Sequence, residues 1–217
     1  MKHLWFIVSL AGMAWPAGGP SHTPADTSTL LPVAEDNFKL VKVDGAVSLY
    51  ERWLEVEPGR EAREMKAEFT APGDPDEVVA LLRNEVKAME WMRRAGTCRI
   101  MADGSAQSWL SYVRYDIPWP VSDQDCLLRY ELKKTGNQIH IPFRSAIDDK
   151  IPPKSKVKRM KGITGSWLLE PQAGNKTYVT YTIMTTEKPT LPRWITDPLV
   201  QGNLLDTMNA FRSQLKG

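Results

Sequence analysis

Asp125-Cys126-Leu127-Leu128-Arg129-Tyr130-Glu131-Leu132-Lys133-Lys134 changes side with a period of two. Cys126, Leu128, Tyr130 and Leu132 fall on one face of an extended chain, and Leu127, Arg129, Glu131 and Lys133 fall on the other. An apolar face backed by a mostly charged one marks an antiparallel sheet that is covered on one side and wet on the other. The segments around this strand repeat the pattern, so it decides the fold class.

Working outward, residues 38–43 and 47–57 flank Asp44-Gly45, a hairpin-turn pair, and residues 60–70 follow Pro58-Gly59. Residues 97–103, 105–117, 125–135, 138–146, 156–171 and 176–187 add six more strands. Asp103-Gly104, Thr135-Gly136-Asn137 and Ala173-Gly174-Asn175 turn the chain between them. Asp74, Pro75 and Glu77 open a helix over about residues 75–93. Its apolar face is Val78, Val79, Leu81, Leu82, Val86, Met89 and Trp91. Residues 192–215 form a last helix, in which Leu204, Met208, Phe211 and Leu215 recur at intervals of four, three and four, and Leu205 widens the stripe. The expected architecture is α+β: a curved antiparallel sheet of about nine strands wrapped round a long C-terminal helix. Side chains alone do not fill so large a grip, which invites a cavity.

The chain has 217 residues, a formal net charge of +2, two cysteines and three histidines. That length suits one domain. The near-neutral balance argues against nucleic acid as a partner, and so few cysteines and histidines leave little for a metal site. Residues 1–25 read as a signal peptide: Lys2 and His3, an uncharged run from Leu4 to Trp15, then Pro16, Gly18, Gly19 and Pro20, with Thr23 and Ala25 before a cleavage point. The other reading of the run is an uncleaved anchor, for which it is short. The mature domain is therefore residues 26–217, exported to the periplasm or secreted. Cys98 and Cys126 would meet an oxidising compartment. They sit two strand spacings apart, about 10 Å, beyond the roughly 7 Å limit between Cα atoms for a disulfide. Two buried thiols are expected.

Residues 117–125, Ile-Pro-Trp-Pro-Val-Ser-Asp-Gln-Asp, begin a set of motifs that resembles a known family. Val157-Lys158-Arg159-Met160, Gly165-Ser166-Trp167-Leu168-Leu169-Glu170-Pro171 and Leu191-Pro192-Arg193-Trp194-Ile195 follow in order. Phe38-Lys39-Leu40-Val41-Lys42, Asp44-Gly45, Val47-Ser48-Leu49-Tyr50 and Glu90-Trp91 precede it. Together they resemble the START domains, lipid-transfer modules of the helix-grip (Bet v 1-like) superfamily, over nearly the whole mature chain. Gln124 stands where that family usually has Arg, leaving an ion pair that braces the loop without its usual cation. Thr186-Glu187-Lys188-Pro189-Thr190 replaces the usual Asp-Pro-Gly-Gly.

The resemblance implies non-catalytic binding of a lipid or other hydrophobic ligand between the sheet and the last helix, with no cofactor and a monomeric chain. Strand alternation supplies the candidate lining: Trp109, Ser111, Val113 and Tyr115; Cys126, Leu128 and Tyr130; Ile139, Ile141 and Phe143; Ile163, Trp167 and Leu169; Val179, Tyr181 and Ile183. Trp194, Leu204, Met208 and Phe211 of the helix complete it. Each apolar member also suits ordinary core packing. The hydroxyls of Ser111, Tyr115, Tyr130 and Tyr181 stand out, because a buried hydroxyl needs a partner. Some sterol-binding relatives hold an acid and a base in the cavity. An ungapped alignment puts Ser111 and Tyr130 there, which removes support for a cholesterol-like ligand.

Lys150, Lys154, Lys156, Lys158, Arg159 and Lys161 crowd one stretch. They suit either an anionic membrane surface or a solvated loop and strand edge where lysines discourage sheet-to-sheet pairing. Asn175-Lys176-Thr177 is a glycosylation sequon or simply a turn. The alternatives are a structural or partner-binding protein with a filled interior, which cavity volume would separate from the other readings, and a helix-grip enzyme of the polyketide cyclase or hydrolase type, acting on a hydrophobic aromatic substrate. The enzyme needs a general acid or base beside the ligand. His140 points outward in this register, and Asp148-Asp149 lies in a loop.

Overall fold

Positive-φ glycines make the first two turns. Gly45 (φ 57°) joins β1 (Lys39–Asp44) to β2 (Val47–Glu57), and Gly59 (φ 72°) joins β2 to β3 (Arg60–Pro72). The computed structural model describes residues 37–117, 122–187 and 193–215, without the side chains of 193–196. The signal segment and Trp119 lie outside the described residues. Helices α1 (Pro75–Leu82) and α2 (Glu85–Trp91) follow. Next come β4 (Ala95–Asp103), β5 (Ser105–Tyr115), β6 (Gln124–Glu131), β7 (Lys133–Thr135) and β8 (Gln138–Ser145). β9 (Lys158–Arg159), β10 (Ile163–Gln172), β11 (Lys176–Thr185) and α3 (Arg193–Gln214) end the chain.

One sheet runs in the order β1-β2-β3-β11-β10-β8-β6-β5-β4, with β7 paired to β8 and β9 to β6. Only the short β6–β9 contact is parallel. β11, the last strand, pairs with β3 through nine register positions from Lys176↔Pro72 to Met184↔Glu64, which joins the early hairpins to the rest. α1 and α2 carry the chain from β3 to the far edge at β4. The α+β expectation and its nine principal strands hold.

The expected single helix over residues 75–93 is two helices. Asp74 caps α1 by accepting from the Glu77 N–H at 2.9 Å, and Asn84 caps α2 by accepting from the Lys87 N–H at 3.0 Å. Asn84 therefore ends one helix register and starts another. Trp91 and Ala88 are buried, while Val86 (76% exposed) and Met89, placed on the apolar face by a continuous helix, face outward. Two expected strands are also shorter. The 125–135 strand breaks at Leu132, whose N–H bonds the Gln107 carbonyl. Of 156–171, only Lys158–Arg159 and Ile163 onward are extended; positive φ at Lys156 and Gly162 interrupts the rest.

The main core fills the side of the sheet that faces α3. Phe211, fully buried, joins four elements: its ring lies 4.8 Å from Trp91 of α2, 5.0 Å from Trp167 of β10 and 6.4 Å from Phe69 of β3. Gly165 serves the same layer. It pairs with Phe143 on β8 and Ile183 on β11, and a methyl group there would overlap the Thr182 carbonyl oxygen and the Phe143 ring. The missing side chain lets the Phe143 ring lie across β10 and stack on Tyr181, 5.8 Å away. Gly165→Ala should cost about 1–3 kcal/mol, as overpacking does. Chemical denaturation checks this; an unchanged midpoint would mean the rings have room to move.

Candidate ligand site on the concave face

The predicted register is the observed one. Trp109, Val113, Cys126, Leu128, Ile139, Ile141, Phe143, Ile163, Trp167, Leu169, Val179, Tyr181, Met208 and Phe211 belong to one buried cluster. Tyr115, Tyr130, Ile183 and Leu204 pack against it half-buried. Ser111, also buried, shares that face of β5. The side chain of Trp194 lies outside the described residues. Sequence reasoning missed part of this wall. Met65, Ala67, Phe69 and Ala71 of β3, with Val47 and Leu49 of β2, complete it. The period of two in 65-67-69-71 was the available signal.

A row of rings crosses the face. Trp109 stacks on Tyr130 at 5.1 Å with planes 6° apart, and Tyr130 meets Phe143 at 5.1 Å. Phe143 stacks on Tyr181, Tyr181 meets Trp167 at 4.6 Å, and Trp167 reaches Phe211 of the helix. Direct strand pairing sets the first two contacts, Trp109↔Tyr130 and Tyr130↔Phe143. The Arg83 guanidinium covers the outer side of the Trp109 ring at 4.2 Å, and its Nη2 donates to the Ala106 carbonyl at 2.7 Å. Arg83 thus closes the β5 end of the row, with the indole between it and Tyr130.

The polar groups of this face are hydroxyls, thiols and indole N–H groups, and the indole N–H groups of Trp91 and Trp167 are buried without a partner among the described residues. Among the described residues, the Tyr115, Tyr130 and Tyr181 hydroxyls form no hydrogen bond. Burial raises all three well above the ordinary tyrosine value. Among the described residues, neighbouring phenols and thiols add to this effect. Tyr115 feels Cys126, Tyr181, Tyr130 and Cys98; Tyr130 feels Tyr181, Cys126 and Cys98; Tyr181 feels Cys126. Tyr115 and Tyr130 lie about 20 Å apart along the paired strands.

Cys98 and Cys126 are free and buried, on either side of Val113, as expected. Burial pushes Cys126 up to about 12 and, with the Glu85 charge, Cys98 up to about 11; a hydrogen bond from Ser111 opposes the second shift in part. His140 points outward, as expected; burial first and then Lys133 lower its pKa.

The opposite side of the sheet corrects two expectations. Leu127 is not part of a wet face: with Leu110 and Tyr112 it forms a second small core under Ile151. Arg159 is not a free membrane contact. Its Nε donates to Asp125 Oδ1 at 2.7 Å and its Nη2 to Oδ2 at 3.2 Å, while Tyr112 donates to the same carboxylate at 3.1 Å. Asp125 is 0% exposed, so the fork sits in the fold. Asp123 is held by Arg114 and by the Ile117 N–H, so Asp123 and Asp125 each keep an arginine partner, Arg114 and Arg159, despite Gln124. Lys158 pairs with Glu187 at 3.1 Å. Lys150, Lys154, Lys156 and Lys161 remain exposed, beside Ile147, which is 91% exposed.

Two open depressions of about 320 Å³ each lie elsewhere, one at the α1–α2–α3 junction around Glu77, Asn84 and Lys87, the other around Ser105, Ser108 and Glu131. Neither includes a predicted lining residue. Among the described residues, no group of three metal-ligating side chains comes together.

A family model for the START domain matches residues 50–216. The chain belongs to the START domain family. It is 25% identical over 181 residues to an uncharacterized protein of Pseudomonas aeruginosa, a match spanning 83% of this chain and 87% of that one. A STAR-related lipid transfer protein of Xanthomonas axonopodis superposes with a TM-score of 0.72 at 25% identity, over 84% of this chain and 100% of the other. Zhui aromatase/cyclase of Streptomyces shares the fold at a TM-score of 0.50 and 14% identity, over 70% and 93%. Membership in the START family implies a hydrophobic ligand, and the fold is common to lipid-transfer proteins and an aromatase/cyclase.

Both thiols of this START domain should resist a thiol reagent at pH 8 and react only after unfolding, giving two free thiols per chain. Their ionisation destabilises the fold in alkali. Above the unfolded value of 9.0 the unfolded chain loses thiol protons that the folded chain keeps, so stability falls from about pH 9 upward. Fast labelling of the native protein would show the concave face open to water.

Proposed function

We propose that this START domain binds a lipid or other hydrophobic ligand without chemistry, in the space between the concave face and α3, as an exported monomer in the periplasm or outside the cell that carries or senses its ligand. One observation supports the reading most. Tyr115 and Tyr130 pack against the main core yet keep accessible surface, and among the described residues their hydroxyls have no hydrogen-bond partner. Partial exposure of rings packed against the main core is what the wall of an internal space would show. Leaving a desolvated hydroxyl unpaired costs roughly 1–3 kcal/mol, and a ligand's polar atom would recover it.

The cyclase reading gains less. General acid–base work needs a group that changes protonation near the working pH. The inward polar groups are phenols and thiols pushed away from that range, and the single histidine of the described residues faces outward. The exposed lysines and Ile147 of the β8–β10 loop support contact with an anionic membrane surface, each lysine near it being worth about 1 kcal/mol.

Native mass spectrometry followed by extraction should reveal bound lipid in the purified protein. Only the apo mass, from several hosts and after incubation with mixed lipids, would overturn the reading. Tyr130→Trp should lower uptake by filling the space, with a modest change in melting temperature. Separately, sedimentation with vesicles of phosphatidylglycerol should exceed that with phosphatidylcholine alone and fall when Lys150, Lys154 and Lys156 become Glu. Equal sedimentation in all three cases would remove the membrane contact.

A further inference from the structure

The binding reading leaves the chemistry of the ligand open, and the inward polar groups narrow it. Tyr115 on β5, Tyr130 on β6 and Tyr181 on β11 reach the same interior from three strands, with Cys98, Cys126 and Ser111 beside them. Among the described residues, the cluster in which these three phenols pack holds no carboxylate, ammonium, guanidinium or imidazole. Asp125 and Arg159 act on Cys126 from the other side of the sheet, and they neutralise one another there. Glu85 acts on Cys98 from α2 and already accepts the Ile100 N–H. Arg83 lies behind the Trp109 indole.

We infer that the ligand is an uncharged lipid carrying acceptor oxygens of the ester, ketone or quinone kind, held by the hydroxyls of Tyr115, Tyr130 and Tyr181, and that lipids with an ionised head are rejected. This rests on the binding reading above. Two physical arguments carry it. A charge brought among these rings would give up its hydration and find no counter-ion among the described residues, which weakens its binding by more than about tenfold. A phospholipid that left its head in water would instead press acyl tails against three hydroxyls and leave them unpaired. A neutral carbonyl accepts from a phenol at no such cost. Three donors at separate positions suit a ligand with more than one oxygen.

The test compares dioleoylglycerol, oleate at pH 9 and dioleoylphosphatidylglycerol by displacement of a neutral fluorescent probe from the full chain. Dioleoylglycerol should displace the probe at concentrations at least tenfold lower than either anion. Tyr115→Phe, Tyr130→Phe and Tyr181→Phe, singly and together, should weaken dioleoylglycerol by up to about tenfold for each hydrogen bond lost. Melting temperature should hold or rise, because each change removes an unpaired hydroxyl. Oleate or phosphatidylglycerol binding as tightly as dioleoylglycerol would overturn the inference and leave the binding reading standing. So would unchanged dioleoylglycerol affinity in all the Phe variants. A protein that takes up neither the probe nor any of the three lipids would overturn both.

Discussion

A sheet nine strands wide offers an apolar face about 40 Å across, since neighbouring strands lie about 4.8 Å apart. One helix is only about 10–12 Å in diameter. α3 cannot cover such a face if the sheet is flat, so the sheet must curl until its apolar residues meet the helix and one another. The other features of the fold answer that mismatch. Phe211 of α3 meets Trp91 of α2 and rings from the strands on both sides of β11. Gly165 removes a side chain where rings from β8 and β11 must overlap. Aromatic side chains bridge the distances that aliphatic ones would leave empty.

The outside of the curve has its own requirement. Where β5 and β6 bend, Leu110, Tyr112 and Leu127 are turned outward and would be left in water. The segment between β8 and β10 folds over them, with Arg159 pinned to Asp125 at its end. Arg159 also bonds the Ile151 carbonyl at 3.3 Å, so the fork fixes the cover as well as the strand. A buried ion pair of this kind is weak support for stability in itself, but losing one partner would strand a charge under the cover at about 3–5 kcal/mol. The pair therefore explains why a run of six positive charges does not act as one surface: Arg159 is committed inward, Lys158 is tied to Glu187, and the remaining lysines are free to face solvent.

Strand alternation made the inward faces of β5, β6, β8, β10 and β11 legible, because a period of two leaves only two choices and burial rejects one of them. The paired thiols flanking Val113 followed from the same counting. What sequence did not disclose depends on contacts between distant residues or on single capping atoms. Nothing local marks Arg159 as the partner of Asp125, 34 residues away. The apolar spacing from Val78 to Trp91 fits one helix, and only the Asn84 side chain, taken as a cap, separates it into two and sends Val86 and Met89 outward. β3 carries the same alternation, but two of its four inward residues, Ala67 and Ala71, are small and mark the face weakly. The unpartnered state of the three phenols was not legible at all: it is a property of the whole interior.

The same fold holds lipid-transfer proteins and an aromatase/cyclase, so the curl of the sheet alone decides neither role. The distinction lies in what the inward positions carry. Burial that makes an interior suitable for an apolar molecule also penalises the charged form of any acid it contains. In a catalytic cavity, a charged partner must counter that penalty to bring a pKa back toward the working range. Cys98, Cys126 and the three tyrosines have no such partner within the concave face, and desolvation is the largest influence on each of them. Their protons stay in place across the physiological range. Among the described residues, then, the inward groups offer hydrogen bonds rather than readily exchanged protons, the composition that the binding proposal draws on.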